Sequence, residues 1–446
     1  MPSRTTPRGC IIAAHSPSDP TSRLSPRRLV GRNAAMPRPV ISNRAETRWT
    51  VRIIPFFIAA AFGFATFVVV PHLCVDYLYR QEHKTGTAIT LIVLYLVFLI
   101  LTLAAYLRTL ITVSFHPGLV PLSAERQALE KERKRNRRRS RDIETEPWVP
   151  PDPNPDSPGL EAFYSKDIFV CELDGRPKWC SDCRSWKPDR AHHSSEIDRC
   201  IRKMDHLCPW VGGVVSETSF NFFAQFTFYC GILCTICIAT AAYSLQLQKK
   251  EGRSLDGRTV AGLAIGCLFA LFTGAMTMTS ARFIFTNITN IDMLRKSQTF
   301  RLAVRLPYDS PPTQRYQTIT YPLSAPAWGQ SGVAMNHFHG SSMGTMSPTS
   351  RRDEQATRTF AILETEPGEN PWDLGWWRNW RSVMGNSVIE WLLPIWHSPC
   401  CNHDSMESDY ELGPVLEKLK QRHGIPHDGS SGSDEIEMRS AGAPRQ

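Results

Sequence analysis

The chain is predicted to be an all-α membrane protein, four transmembrane helices in two hairpins with a small Cys-rich module between the second and third. Three observations predict this. Four runs, Ile53 to Leu73, Thr87 to Leu107, Phe222 to Leu245 and Val260 to Ile284, are apolar and near the ~20 residues that cross a bilayer. None carries the polar stripe of a helix lying on a soluble surface. Between the two pairs, four of the chain's 13 cysteines fall within the short stretch Cys180 to Cys208. Basic residues gather in the arm before Ile53 and in the run Lys131 to Arg139, both on the module's side of the spans.

The elements follow in order. Residues 1–52 are rich in Ser, Pro and Arg with little to bury, and are expected to form a disordered arm. Met36 is a candidate translation start. The first run lies too far along, and lacks the small-residue cleavage site, to be a signal peptide. Spans one and two occupy residues 53–108. Residues 109–177 form a basic linker ending in the Pro-rich stretch Pro147 to Pro158. The net charge is +9, and basic residues cluster in the arm and in the run Lys131 to Arg139 of this linker. The positive-inside bias therefore places both termini and the module in the cytosol, although the mildly basic link Gln246 to Arg258 opposes it. The basic run suits a juxtamembrane patch on anionic lipid better than nucleic acid. Spans three and four fill residues 222–285. In the tail, 286–446, Ser297 to Glu369 is expected to be loop-like, Asn370 to Trp396 a short docked Trp-rich element, and the last forty residues disordered. Cys230, Cys234 and Cys237 share a helical face and are expected to pack. Asn287-Ile288-Thr289 is a glycosylation sequon on the cytosolic side. Cys400-Cys401 stands near the Trp-rich segment.

Inside the module, Cys180 and Cys183 form a Cys-x-x-Cys knuckle, followed by His193 and Cys200. Three thiolates and one imidazole are a zinc donor set, and a full set of four leaves no open position, so the site reads as structural. His192 is a rival to His193. So short a segment gains its folding free energy from the metal rather than from burial. Disulfides are unlikely partners for these thiols in a cytosolic loop. Downstream, Asp205, His206 and Cys208 supply a nucleophile, a base to take its proton and a carboxylate to orient the base.

These residues resemble the DHHC-type protein S-acyltransferases, or palmitoyltransferases. The resemblance rests on Trp179-Cys180-Ser181-Asp182-Cys183, on Lys187-Pro188-Asp189-Arg190, and on Met204-Asp205-His206-Leu207-Cys208-Pro209-Trp210-Val211-Gly212, within a module of residues 178–228. Outside it stand His116-Pro117-Gly118, Thr289-Asn290-Ile291-Asp292, and Asn370-Pro371-Trp372-Asp373-Leu374-Gly375 with Asn379-Trp380. The resemblance favours His193 over His192 as the ligand. It implies an S-acyl enzyme formed on Cys208 from palmitoyl-CoA or another long-chain acyl-CoA, with His206 as base and Asp205 orienting it. Transfer to membrane-proximal cysteines of substrate proteins follows, in an endomembrane or plasma membrane. Family members usually hold two zinc ions. The second set falls on Ser194, Ile197, Leu207 and Val214 here, so one ion is expected; the family's downstream Asn is Ser219. The pattern resembles a divergent fungal subgroup with Gly212-Gly213-Val214-Val215. Two other classes stay open: a catalytically silent zinc scaffold, and an unrelated four-span transporter or receptor, which the near absence of ionisable residues in the spans opposes.

Overall fold

A computed structural model describes residues 45–136, 159–295, 299–307, 310, 313–321, 357–401 and 410–425. The arm up to residue 44, the end of the basic run from residue 137, the Pro-rich stretch, residues 322–356 and the last residues from 426 lie outside the described part.

Helix α1 spans Ala45–Phe67 and continues in wider, π-helical turns through Val68–Gln81. Helix α2 spans Thr85–Phe115. Together they give the first two membrane-length helices, Ile53–Gln81 and Thr85–Phe115. α2 outruns its predicted span by two turns. The hydroxyls of Thr109 and Thr112 bond back to the carbonyls of Ala105 and Arg108 and occupy their own polarity within the helix. This extension delivers the chain to His116-Pro117-Gly118 at the module. The linker is not featureless: α3 (Ala124–Asn136) and the single turn α4 (Glu161–Tyr164) lie in it.

Helices α5 (Phe220–Lys250) and α6 (Gly257–Thr286) are the other two membrane-length helices. α5 is the central one, packed against both α2 and α6. Phe223, Phe226, Tyr229, Cys230 and Cys234 of α5 meet Ala105, Tyr106 and Val113 of α2 and Ile58 of α1 in one apolar cluster. Gly266 lets α6 come close to α5, since a Cβ there would stand 3.3 Å from Ile238. At the far end, Asp256 caps α6 by accepting from the Thr259 amide and also holds His72 Nε2 at 2.8 Å, tying α6 to the first span.

The module is built from three two-stranded hairpins: β2 (Trp179–Cys180) with β3 (Ser185–Trp186), β4 (His192–Ser194) with β5 (Arg199–Ile201), and β6 (His206–Cys208) with β7 (Gly213–Val215). Strand β1 (Ile168–Val170) precedes them. It belongs instead to an antiparallel sheet of order β1-β8-β10-β9, with β8 Arg301–Arg305, β9 Gln317–Tyr321 and β10 Arg358–Glu364. The expectation of loops over Ser297 to Glu369 is therefore corrected. Side chains alternate across this sheet as a strand period of two requires. Phe169, Ala303 and Phe360 face Trp186 and Leu160, while Val170, Leu302, Val304 and Leu363 face Trp372, Leu416 and Leu419. The last two sit on α10 (Pro414–His423), within the stretch expected to be disordered. Pro414 opens that helix and Gly424, at φ 70°, closes it.

Short helices complete the tail side of the module: α7 (Asn290–Met293), α8 (Trp376–Met384) and α9 (Val388–Leu392). The last carbonyls of α6 have no partner within the helix. Asn379 Nδ2 donates to that of Phe285 at 2.7 Å, and Asn370 Nδ2 to that of Thr286 at 2.8 Å. Asn287, in the left-handed conformation at φ 47°, ends α6 and donates to the Trp372 carbonyl.

Candidate active site and metal centre

Two adjacent hairpins converge on one point. The tight β2–β3 turn presents Cys180 and Cys183, and in the β4–β5 pair His193 stands directly opposite Cys200. Their donor atoms all lie within 4.8 Å of one another, with His193 Nδ1 3.5 Å from both the Cys180 and Cys183 sulfurs. The three cysteines are buried with Val120 and Ala191. On the other side of the ring, His193 Nε2 faces carboxylates, Asp182 at 3.6 Å and Asp198 at 3.8 Å, and Arg126 holds Asp198 at 3.1 Å. An outward carboxylate of this kind fixes the tautomer of a ligating imidazole. This group of four could hold a metal ion, and it is the one such group among the described residues. His192 does not belong to it. Strand alternation turns that ring to the opposite side, where burial drives its pKa down to about 4.

The positions of the family's second metal set carry no such group. Leu207 faces Val214 across the β6–β7 hairpin. Val214 is fully buried, and Ser194 closes the β4–β5 turn by accepting from the amides of Ile197 and Asp198.

The third hairpin carries the other set. On a strand, residues two apart share a face, so His206 and Cys208 stand side by side on β6 while Leu207 turns away. Asp205, just before the strand, receives His206 Nδ1 on Oδ2 at 2.6 Å. Its other oxygen accepts from the backbone amide of Asn290 at 2.9 Å. Burial alone would lower the His206 pKa. The hydrogen bonds to Asp205 and Cys208 outweigh it and raise it to about 9. The ring also rests edge-on against Phe223 at 5.4 Å. Cys208 is 4% exposed. Its surroundings are apolar: a cleft runs from Cys208 and Trp210 down between the helices, past Phe226 and Cys230 to Val69 and Ala241. The tight turn after it is set by Gly212 at φ 74°, and Tyr106 Oη donates to the Trp210 carbonyl. All seven residues singled out from the sequence thus fall into two compact groups, each pairing thiol with imidazole.

Sequence reasoning missed the part that holds the module to the spans. Arg190, its side chain 1% exposed, donates to Asp292 at 2.7 Å, to the Asn287 side chain at 3.0 Å and to the Asn287 carbonyl at 2.9 Å. The guanidinium also stacks over Trp372 at 4.6 Å. Burial would push the Asp292 carboxyl up, but Arg190 beside it holds the group below its ordinary range. Asp292 closes a capping box with Thr289, which shapes the turn whose Asn290 amide reaches Asp205. The residues were visible only as pieces of family motifs. What joins them is a contact across 102 residues of chain.

Fold and site together define a multi-pass membrane protein with a Cys/His centre and a carboxylate–imidazole–thiol set at the mouth of an apolar cleft. Residues 174–297 match the family described as DHHC palmitoyltransferase. The chain is 39% identical to palmitoyltransferase pfa5 of Aspergillus fumigatus, over 84% of this chain and 90% of that protein. It is 36% identical to palmitoyltransferase pfa5 of Emericella nidulans, over 86% and 87%, and 27% identical to palmitoyltransferase PFA3 of Yarrowia lipolytica, over 56% and 54%. The chain belongs to the DHHC palmitoyltransferase family.

Proposed function

We propose that this enzyme transfers a long-chain acyl group, palmitoyl foremost, from acyl-CoA to cysteines of substrate proteins, with Cys208 carrying it between the two. The observation that supports this most is the placement of Cys208 beside a basic imidazole on one side and an apolar cleft on the other. Since Nδ1 of His206 is engaged by Asp205, Nε2 is the atom left for the thiol. His206 takes the Cys208 proton as the sulfur attacks the thioester carbonyl. The bond to CoA breaks, and the CoA sulfur leaves with the proton from His206. The acyl chain occupies the cleft, where a hydrocarbon loses its contact with water. A substrate cysteine then attacks the Cys208 thioester, giving its proton to His206, which returns it to Cys208. Both steps exchange one thioester for another, so neither needs an outside energy source. Only cysteines near the bilayer reach a thioester seated at that depth.

Cys180, Cys183, His193 and Cys200 would hold one zinc ion. In a tetrahedron with sulfur at ~2.3 Å and imidazole nitrogen at ~2.0–2.1 Å, those atoms stand about 3.5 Å apart. The two sulfur–Nδ1 separations here have that value. Bound there, zinc supplies folding free energy and touches neither substrate. The basic linker and arm favour a cytosolic module, with the enzyme in an endomembrane or the plasma membrane.

Acyl uptake tests the assignment and separates it from a silent scaffold. Purified protein incubated with labelled palmitoyl-CoA should gain hydroxylamine-labile label at near one group per chain. Cys208→Ser should lose it. Label retained at the wild-type level would refute the assignment.

A further inference from the structure

Around α9 the tail turns an apolar surface outward. Val388, Ile389, Leu392, Leu393, Ile395 and Trp396 are 38–58% exposed. The one charge among them, Glu390, folds back onto the Ser387 hydroxyl and the Asn386 amide. The opposite side of the segment is docked: Trp391 packs with Trp380, Met384, Ala224 and Ile284, and its indole donates to the Gly385 carbonyl.

Two further facts say what covers the outer side. The first is its height. The segment hangs from α5 through Asn221, Gln225 and Tyr229, which donate to the carbonyls of Trp396, of Glu390 and Trp391, and of Leu392. A helix of 31 residues is about 46 Å long against a hydrocarbon core of about 30 Å. Some five residues at each end then lie in the headgroup layer, which puts Gln225 at the hydrocarbon boundary. Neighbouring exposed residues Phe228 and Phe285 continue the same apolar surface on α5 and α6. The second is the backbone. Every carbonyl from Ile389 to Leu393, and those of Ile395 and Trp396, accepts a hydrogen bond from the protein itself. Leu393, Ile395 and Arg108 supply the donors that α5 does not. Internal hydrogen bonds to seven carbonyls of so short and exposed a segment suit hydrocarbon, where water cannot supply them.

We infer that residues 388–396 form a monotopic lipid anchor, seated in the leaflet on the module's side, with the phospholipid acyl chains as its partner. Trp376 and Trp377, exposed on α8 beside Arg378 and Arg381, mark the headgroup level above it. The same turns of α5 give Phe223 and Phe226 to the Cys208 cleft. The anchor therefore sets the height of the cleft mouth in the bilayer.

The test is photolabelling of the full-length protein in phosphatidylcholine nanodiscs doped with a phospholipid carrying a diazirine in its acyl chain. Adducts are then mapped by mass spectrometry. Peptides covering 388–396 should carry adducts at a yield within about threefold of the lipid-facing peptides of α6. In Ile389→Arg/Leu392→Arg those adducts should fall at least tenfold while the α6 adducts persist. Labelled α2 and α6 with an unlabelled 388–396 would overturn the inference. So would a cross-link from this segment to a second copy of the chain, which would make the surface a dimer contact.

Discussion

His206 decides the chemistry of the proposed site, and its environment is readable atom by atom. A desolvated imidazole loses basicity, yet the Asp205 carboxylate at 2.6 Å and the Cys208 thiol together more than restore it. The sign for stability follows. Its folded pKa of about 9 lies above the ordinary 6.5, so the stabilisation is complete below about pH 6.5 and is lost as pH rises through about 9. Asp205→Asn removes the charge and leaves an amide that can present the wrong tautomer. Autoacylation should fall by about 10²-fold or more, and its pH profile should shift, while the bound metal stays. An unchanged profile would show that Asp205 does not act through His206. At this scale the sequence was legible because Asp205, His206 and Cys208 are local. A two-residue spacing on a strand is enough to pair the imidazole with the thiol. The Asn290 amide that steadies Asp205 is a backbone group 85 residues away, and no side-chain pattern announces it.

Among the elements, the hairpins divide the work. β2–β3 and β4–β5 are two- and three-residue strands with a small apolar cluster between them, too little to hold four ligands by burial. β6–β7 has Leu207 against Val214 where a second ion would have sat, and leans on α2 through Gly213, whose Cα approaches Val113 so closely that a Cβ would stand 3.2 Å from it. Elemental analysis of pure protein should therefore give one zinc per chain. Cys183→Ser should remove it and lower the folded yield, since metal binding and folding are one free energy here. A ratio near two in the native protein, or a variant that folds at full yield without metal, would contradict this. The spans were legible because hydropathy is a property of each segment alone. The sheet was not: its strands are three to seven residues long, and β1 finds β8 and β8 finds β10 only after long detours of chain. A short strand whose partner is distant has no signature of its own, and the same holds for the two buried leucines that dock α10.

For the molecule as a whole, both pairs of spans return the chain to one side, and the module, the sheet and the described tail elements all stand there. The Lys/Arg excess on that side predicts its compartment. In sealed microsomes, tags at both ends should be open to added protease while the links after Gln81 and Lys250 stay protected. A protected tag at either end would contradict the four-span arrangement. Arg190 binds the three layers together. It touches the end of α6 through Asn287, the turn under Asp205 through Asp292, and the tail through Trp372. Family motifs scattered over the sequence thus become one buried joint, and only the fold shows that they share a neighbour.

The sheet has a consequence for how the enzyme is made. Arg358 of β10 reaches back 194 residues to the carbonyl of Tyr164, just ahead of the module. A ribosome adding about 5–20 residues per second needs roughly 10–40 s to cover that distance. Cys180 to Cys208 are all made early in that interval, and the scaffold around them then waits for its last strands. A polypeptide released early, by a premature stop codon or a cleaved message, would carry Cys208 without the Trp372 side of the Arg190 joint. The carboxyl-terminal third is thus the keystone of the assembly on the module's side by geometry: a chain stopped before Arg358 lacks both the central partner of β8 and β9 and the Trp372 face of the Arg190 joint.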